Sequence, residues 1–205
     1  MDKWNQLASK ESIDKTIAAI EANGIDAKFV QSREDAKKEV LSLIPQGAEV
    51  MNQTSVTLES IGIPEEINES GKYNSVRNRL NNMDRTTQNL EMQKLGAAPE
   101  WTMGSVHAVT EDGHIFIASN TGSQLSSYAG GATHVIWVIG SQKIVKDDEQ
   151  ALKRIYEYVL PLESERANKA YNITTGSNVS KLLIINKEVK PGRLTVILVG
   201  EKLGF

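Results

Sequence analysis

"THVIWVIGSQK", residues 133–143, is the stretch whose reading decides the fold. Val135, Ile136, Trp137, Val138 and Ile139 follow one another without a polar side chain. Successive side chains of a strand point to opposite faces, so an unbroken apolar run has no face to offer water. A strand of this kind sits at the centre of a parallel sheet, covered by helices on both sides. Gly140 ends the run, and Ser141, Gln142 and Lys143 form a polar loop after it. Beyond the loop, "DDEQALKRIYEYVL" has acids in its first turn, Lys153 and Arg154 later, and Ala151, Ile155, Tyr158 and Val159 on one face, which predicts a helix.

The same rhythm extends towards the N-terminus. Trp4 and Leu7 begin a short helical segment. Ile13, Ile17 and Ile20 then share a helical face that Asn23-Gly24 terminates. "IDAKFV" predicts a strand, Ser32 with Asp35 an N-cap, and Val40, Leu41 and Ile44 a second helix up to Pro45. "AEVMNQTSVTLESIG" repeats the unit, with a strand through Val50, a polar loop from Asn52 to Ser55, and a helix bearing Leu58 and Ile61. From Ser75 to Leu95 one long helix is expected, with Val76, Leu80, Met83, Thr87 and Leu90 as its stripe and Arg77, Arg79 and Arg85 on a solvated face.

Towards the C-terminus, "SVHAVTEDGHIFIAS" contains two alternating runs joined by Asp112-Gly113, a hairpin signal. The tail from Lys181 predicts two more strands around a Pro191-Gly192 turn. The sum is a three-layer α/β/α fold with a mixed, mostly parallel sheet. No linker, repeat or low-complexity tract divides it, so residues 1–205 are read as one domain, with a helical segment over 1–24 packed on it.

Composition narrows the function. The net charge is -3, and the basic residues are scattered, so nucleic acid is not an expected partner. No apolar run approaches the roughly 20 residues of a membrane span, and the N-terminus lacks a secretory core, so a cytoplasmic location is expected. With no cysteine, the chain has no thiolate metal site and no ligand for an iron–sulfur cluster. His107, His114 and His134 stand alone and form no metal motif.

The candidate site lies in the loops. Asn52, Thr54 and Ser55, then Asn120, Thr121, Gly122, Ser123 and Gln124, then Gln142 and Lys143, all follow strands, with Gly176, Ser177 and Asn178 expected nearby. In open α/β sheets such loops gather at the carboxyl ends of the strands, where backbone amides face an anion. Gly122 would admit a close ligand, the hydroxyls and amides would supply hydrogen bonds, and Lys143 would supply positive charge. Glu59, one helical turn after Ser55, is the carboxylate placed to act as acid or base. No phosphate-binding glycine motif and no nucleophile elbow is present.

The blocks "SVTLESIG", "GSVHAVTEDG", "IASNTGSQL", "VIWVIGSQKIV", "TTGSNVSKLLIINKEV" and "PGRLTVILVGEKLGF", in this order, resemble the LUD-domain family, named for lactate utilisation. The resemblance implies the fold of ribose-phosphate isomerases, glucosamine-phosphate deaminases and coenzyme A transferases. It also implies a link to lactate oxidation, with iron–sulfur clusters held by partner subunits. Where members carry glutamate before a Thr-Gly pair this chain has Asn120, and where they are glycine-rich it has Asn52-Gln53-Thr54. The expected role is therefore an accessory protein that binds a small anion. The other readings are an independent enzyme acting on a sugar phosphate or acyl-coenzyme A through Glu59 and Lys143, and a regulatory interaction protein. A homodimer is expected by analogy with related α/β proteins.

Overall fold

The computed structural model describes residues 2–205. Helix α1 (Lys10–Ala22) starts where the Ser9 hydroxyl accepts the Ser12 N–H and stops at Asn23, and its Ile13 and Ile20 are buried. Strand β1 (Asp26–Val30) leads to α2 (Arg33–Leu43), capped by Ser32 through the Asp35 N–H. Strand β2 (Glu49–Asn52) then feeds α3 (Val56–Ser60), capped by Ser55, and α4 (Ile63–Glu69) follows. These caps satisfy amides that a helix start leaves without partners, which is why the polar loops end where they do.

Next come β3 (Asn74–Ser75), α5 (Val76–Asn81), α6 (Asn89–Ala97) and β4 (Trp101–Gly104). The hairpin of β5 (Ala108–Thr110) and β6 (Ile115–Ser119) turns at Gly113, whose φ of 80° suits glycine. Strand β7 (His134–Gly140) holds the apolar run, and β8 (Ile144–Val145) follows a short turn. Helix α7 (Asp148–Arg154) continues through a wide π turn (Ile155–Val159) into α8 (Leu160–Tyr171). Strands β9 (Lys181–Ile185) and β10 (Leu194–Val199) complete the order.

Six strands form a parallel sheet in the order β1-β10-β7-β4-β2-β3. Strand β7 lies between β10 and β4, with Trp137 in register with Val196 and Gly104. Its alternate residues serve two cores. Ile136 and Val138 pack with Val40, Leu58, Ile63 and Ile67 under α2–α4. Val135, Trp137 and Ile139 pack with Ile13 and Ile20 of α1 and with Val109, Ile115 and Ile117. The central strand is thus buried on both faces, and the α/β class and layered parallel sheet expected from the sequence are present.

All the antiparallel pairing falls in a second sheet, β8-β5-β6-β9, which shares one face of the large sheet with α1. Its other face packs against Ala151, Ile155 and Val159 at the junction of α7 and the π turn.

One expectation from the sequence needs correction. The single helix over Ser75–Leu95 is two helices, because Asp84 accepts from the Thr86 N–H at 2.8 Å and from the Thr87 hydroxyl at 3.1 Å, while Gln88 Oε1 takes the Asp84 N–H. That local bonding competes with helix, and it leaves Thr87 and Leu90 exposed instead of on a stripe. The two tail strands expected around Pro191-Gly192 are present and join different sheets. Strand β9, with one wet face, pairs antiparallel with β6, whereas the apolar β10 enters the large sheet between β1 and β7.

Candidate functional site

The carboxyl ends of β2, β4 and β7 open on one side into a cleft of about 930 Å³. From the strand ends, Gln53, Thr54, Ser55, Ser105, His107 and Lys143 line it. Ser119 through Gln124 contribute from the end of β6, and Gly176, Ser177 and Asn178 from the loop after α8. One wall is made by α5 and α6 with Arg77, Arg85 and Met92, another by α8 with Glu163 and Arg166. Asn52, Gln142 and Glu59 lie outside this lining. Gln142 instead donates to the carbonyls of Leu203 and Gly204 at 3.0 and 3.3 Å, the Asn52 carbonyl accepts from Arg77 at 2.8 Å, and Glu59 is exposed.

The loop after β6 is held by its own side chains. Ser119 Oγ accepts the Gly122 N–H at 2.8 Å and donates to Gln124 Oε1 at 2.9 Å, and the Ser123 N–H bonds Thr121 Oγ1 at 3.3 Å. Gly122 has a φ of 86°, and a Cβ there would meet the Lys181 side chain at 2.7 Å. The space freed by this glycine is filled by Lys181, so its role is to let the loop close onto β9. Asn120 Oδ1 accepts from the Ser180 hydroxyl at 3.1 Å. The loop after α8 is docked similarly, with the Gly176 N–H on Asn168 Oδ1 at 2.8 Å and the Ser177 N–H on Ser164 Oγ at 3.0 Å.

Lys143 is buried in the cleft wall, at 2% exposure. Its Nζ contacts Thr57 Oγ1 and Ser105 Oγ at 3.0 Å each and the Val106 carbonyl at 3.2 Å, and all three are neutral. Burial first, then the Arg154 charge, push its pKa well below the ordinary lysine value. His107 Nδ1 accepts the Ala118 N–H at 3.1 Å, which leaves the proton of the neutral ring on Nε2. Burial, Lys143 and Arg154 together push its pKa down to about 3. Arg154 itself is fully buried, donating to the His107 and Trp4 carbonyls.

Of the arginines expected on a solvated face, Arg79 and Arg85 are exposed and Arg77 is half-buried. Arg79 pairs at the surface with Glu49. Arg77 and Arg85 line the cleft, and among the described residues neither makes a salt bridge. Burial lowers the Arg77 pKa from its ordinary value, yet guanidinium stays charged. Arg166 is compensated by two hydrogen bonds of 2.7 Å to Glu163. The helix-breaking Asn81-Asn82 and Asp84 were the sequence signal that could have placed Arg85 on a turn. His107 gave no signal, since its role depends on a neighbour eleven residues along the chain.

The other histidines serve the fold: His114 pairs with Asp148 at 2.8 Å, and His134 stacks on Trp101 at 4.1 Å. Among the described residues no three His, Cys, Asp or Glu side chains gather as metal donors, and no helix is long and apolar enough to cross a membrane.

Comparison with known proteins places this architecture. None of the curated proteins matches the sequence. The crystal structure of a DUF162 family protein from Deinococcus radiodurans is similar in fold, with a TM-score of 0.57 at 11% identity over 95% of this chain and 99% of that chain. A family model described as LUD domain matches residues 13–199, which include every strand of both sheets. The resemblance seen in the sequence blocks therefore holds across both sheets, and the chain belongs to the LUD-domain family, which ties it at the family level to lactate utilisation.

Proposed function

We propose that this chain binds a small organic anion in the strand-end cleft and acts as an accessory component of lactate or related organic-acid utilisation. The observation that carries this reading is the charge of the cleft. Arg77 and Arg85 face it without carboxylate partners, in a chain whose net charge is -3. Positive charge concentrated in a concave site attracts and orients an anion even when the whole molecule is acidic. Hydroxyls and amides from Thr54 to Ser55 and from Asn120 to Gln124 then suit carboxylate and hydroxyl groups. Electron transfer would fall to partner subunits holding iron–sulfur clusters, since this chain has no cysteine to bind them.

The cleft volume favours a second reading. About 930 Å³ is far more than a three-carbon acid fills, which suits a sugar phosphate or an acyl-coenzyme A acted on by an independent enzyme. A thermal-shift screen of organic acids, sugar phosphates and coenzyme A thioesters separates the two, followed by calorimetry and a turnover assay on the best ligand. Arg77→Ala or Arg85→Ala should weaken binding roughly ten- to a hundredfold, the equivalent of about 1.5 to 3 kcal/mol for a charge-assisted hydrogen bond. Unchanged affinity in both variants would remove the cleft as the anion site.

A further inference from the structure

We propose that Lys143 is a covalent nucleophile, whose amine condenses with the carbonyl group of an anionic aldehyde or ketone held in the cleft. The inference rests on the cleft being the ligand site and adds the chemical class of what enters it. Its basis is a lysine buried in the cleft wall that makes no salt bridge among the described residues and has only neutral groups around Nζ. The Thr57 hydroxyl donates to the Leu203 carbonyl at 3.1 Å, so towards Lys143 it can only accept. The Val106 carbonyl is an acceptor by nature. Those two acceptors use the two N–H bonds of a neutral amine.

The third neighbour, Ser105 Oγ, has no acceptor of its own among the described residues, and it lines the cleft. Its hydroxyl can turn either way, accepting from Nζ or donating to the lone pair of a neutral amine, and when it turns towards the cleft the lone pair is free for a ligand. An ammonium here would be buried without a carboxylate and close to the cationic Arg154, which is the costlier state.

In the reaction, the Nζ lone pair forms a bond to the carbonyl carbon while the carbonyl π electrons move to oxygen, giving a carbinolamine. The nitrogen loses a proton, the hydroxyl leaves with a proton as water, and a carbon–nitrogen double bond forms. One amine and one carbonyl become one imine and one water, with no oxidant or reductant consumed. Ser105, hydrogen-bonded to the nitrogen, is placed to pass the proton.

The test is reductive trapping of the full chain with glyoxylate or pyruvate and borohydride, read by intact mass and peptide mapping. An exposed lysine is unprotonated in roughly one molecule in a few thousand at neutral pH, so Lys143 should be labelled at least about tenfold above any surface lysine. Lys143→Met should lose that label while the surface background stays. Calorimetry with lactate, which has no carbonyl to condense, reads the site separately. Lactate binding that Arg77→Ala weakens, with no excess label at Lys143 in the parent protein, would overturn the imine and leave the anion site standing. Neither binding nor label would overturn both.

Discussion

His107 shows how a single residue acquires a chemical state from its surroundings. Its ring is neutral because Nδ1 accepts the Ala118 N–H, because it is buried, and because Lys143 and Arg154 stand near. An unfolded histidine binds a proton near pH 6.5, whereas this one resists until about 3. Between those values the unfolded chain holds a proton that the folded chain lacks, so stability is full above about 6.5 and falls as the pH drops towards 3. His107→Asn keeps an acceptor beside Ala118 but does not titrate. Its urea-unfolding free energy should therefore change less than the parent's between about pH 7 and about pH 4.5, and equal changes would sink the assignment. The sequence made Lys143 legible as a site residue, but not its neutrality, which depends on Arg154 and on hydroxyls from distant strands. Arg77 was read as solvated because stripe arithmetic sees only its own helix and not the Asn52 carbonyl at the end of β2 to which it donates.

At the scale of elements, the most apolar stretches were the easiest to place. Val135–Ile139 has one solution, a strand with both faces covered, and β7 is that strand. Trp137 fills one of those faces, fully buried and edge-on to Tyr128 at 5.4 Å. Tyr128 in turn fills the space that a Cβ at Gly104 would need, since its hydroxyl lies 1.8 Å from that position. Trp137→Ala should cost about 3–5 kcal/mol, read as a lower urea midpoint, because the rigid sheet around it cannot collapse into the gap. A loss below about 1 kcal/mol would mean the site repacks. Pairing partners were harder to read than the strands themselves. Strands β9 and β10 are close in sequence and end in different sheets, because a turn signal records that the chain reverses and not which neighbour it meets.

On the scale of the molecule, edges and exposed apolar groups point to self-association. Strand β9 closes one side of the small sheet with an unpaired edge, and Leu182 and Ile184 on it are 38% and 41% exposed. Strands in this state pair readily with a second copy. A two-fold dimer through β9 should therefore appear as twice the chain mass in light scattering, and Leu182→Lys with Ile184→Lys should return it to one chain mass. A parent protein that stays monomeric in the high micromolar range would count against the dimer. The segment expected as one long helix offers no continuous stripe, since it is two short helices that wall the cleft.

The π turn at Ile155–Val159 sets the phase between the two ends of one helical rod. It takes in one residue more than an α turn, so each residue after it is rotated by about 100° and advanced by about 1.5 Å relative to a continuous α-helix. Deleting the exposed Tyr156 would restore the regular winding. With α7 fixed against the small sheet, the face of α8 that carries Arg166 would swing away from the cleft. With α8 held instead, Ala151 would leave its place against the sheet. The extra residue is what allows one rod to serve as a support for the small sheet at one end and as a wall of the binding site at the other.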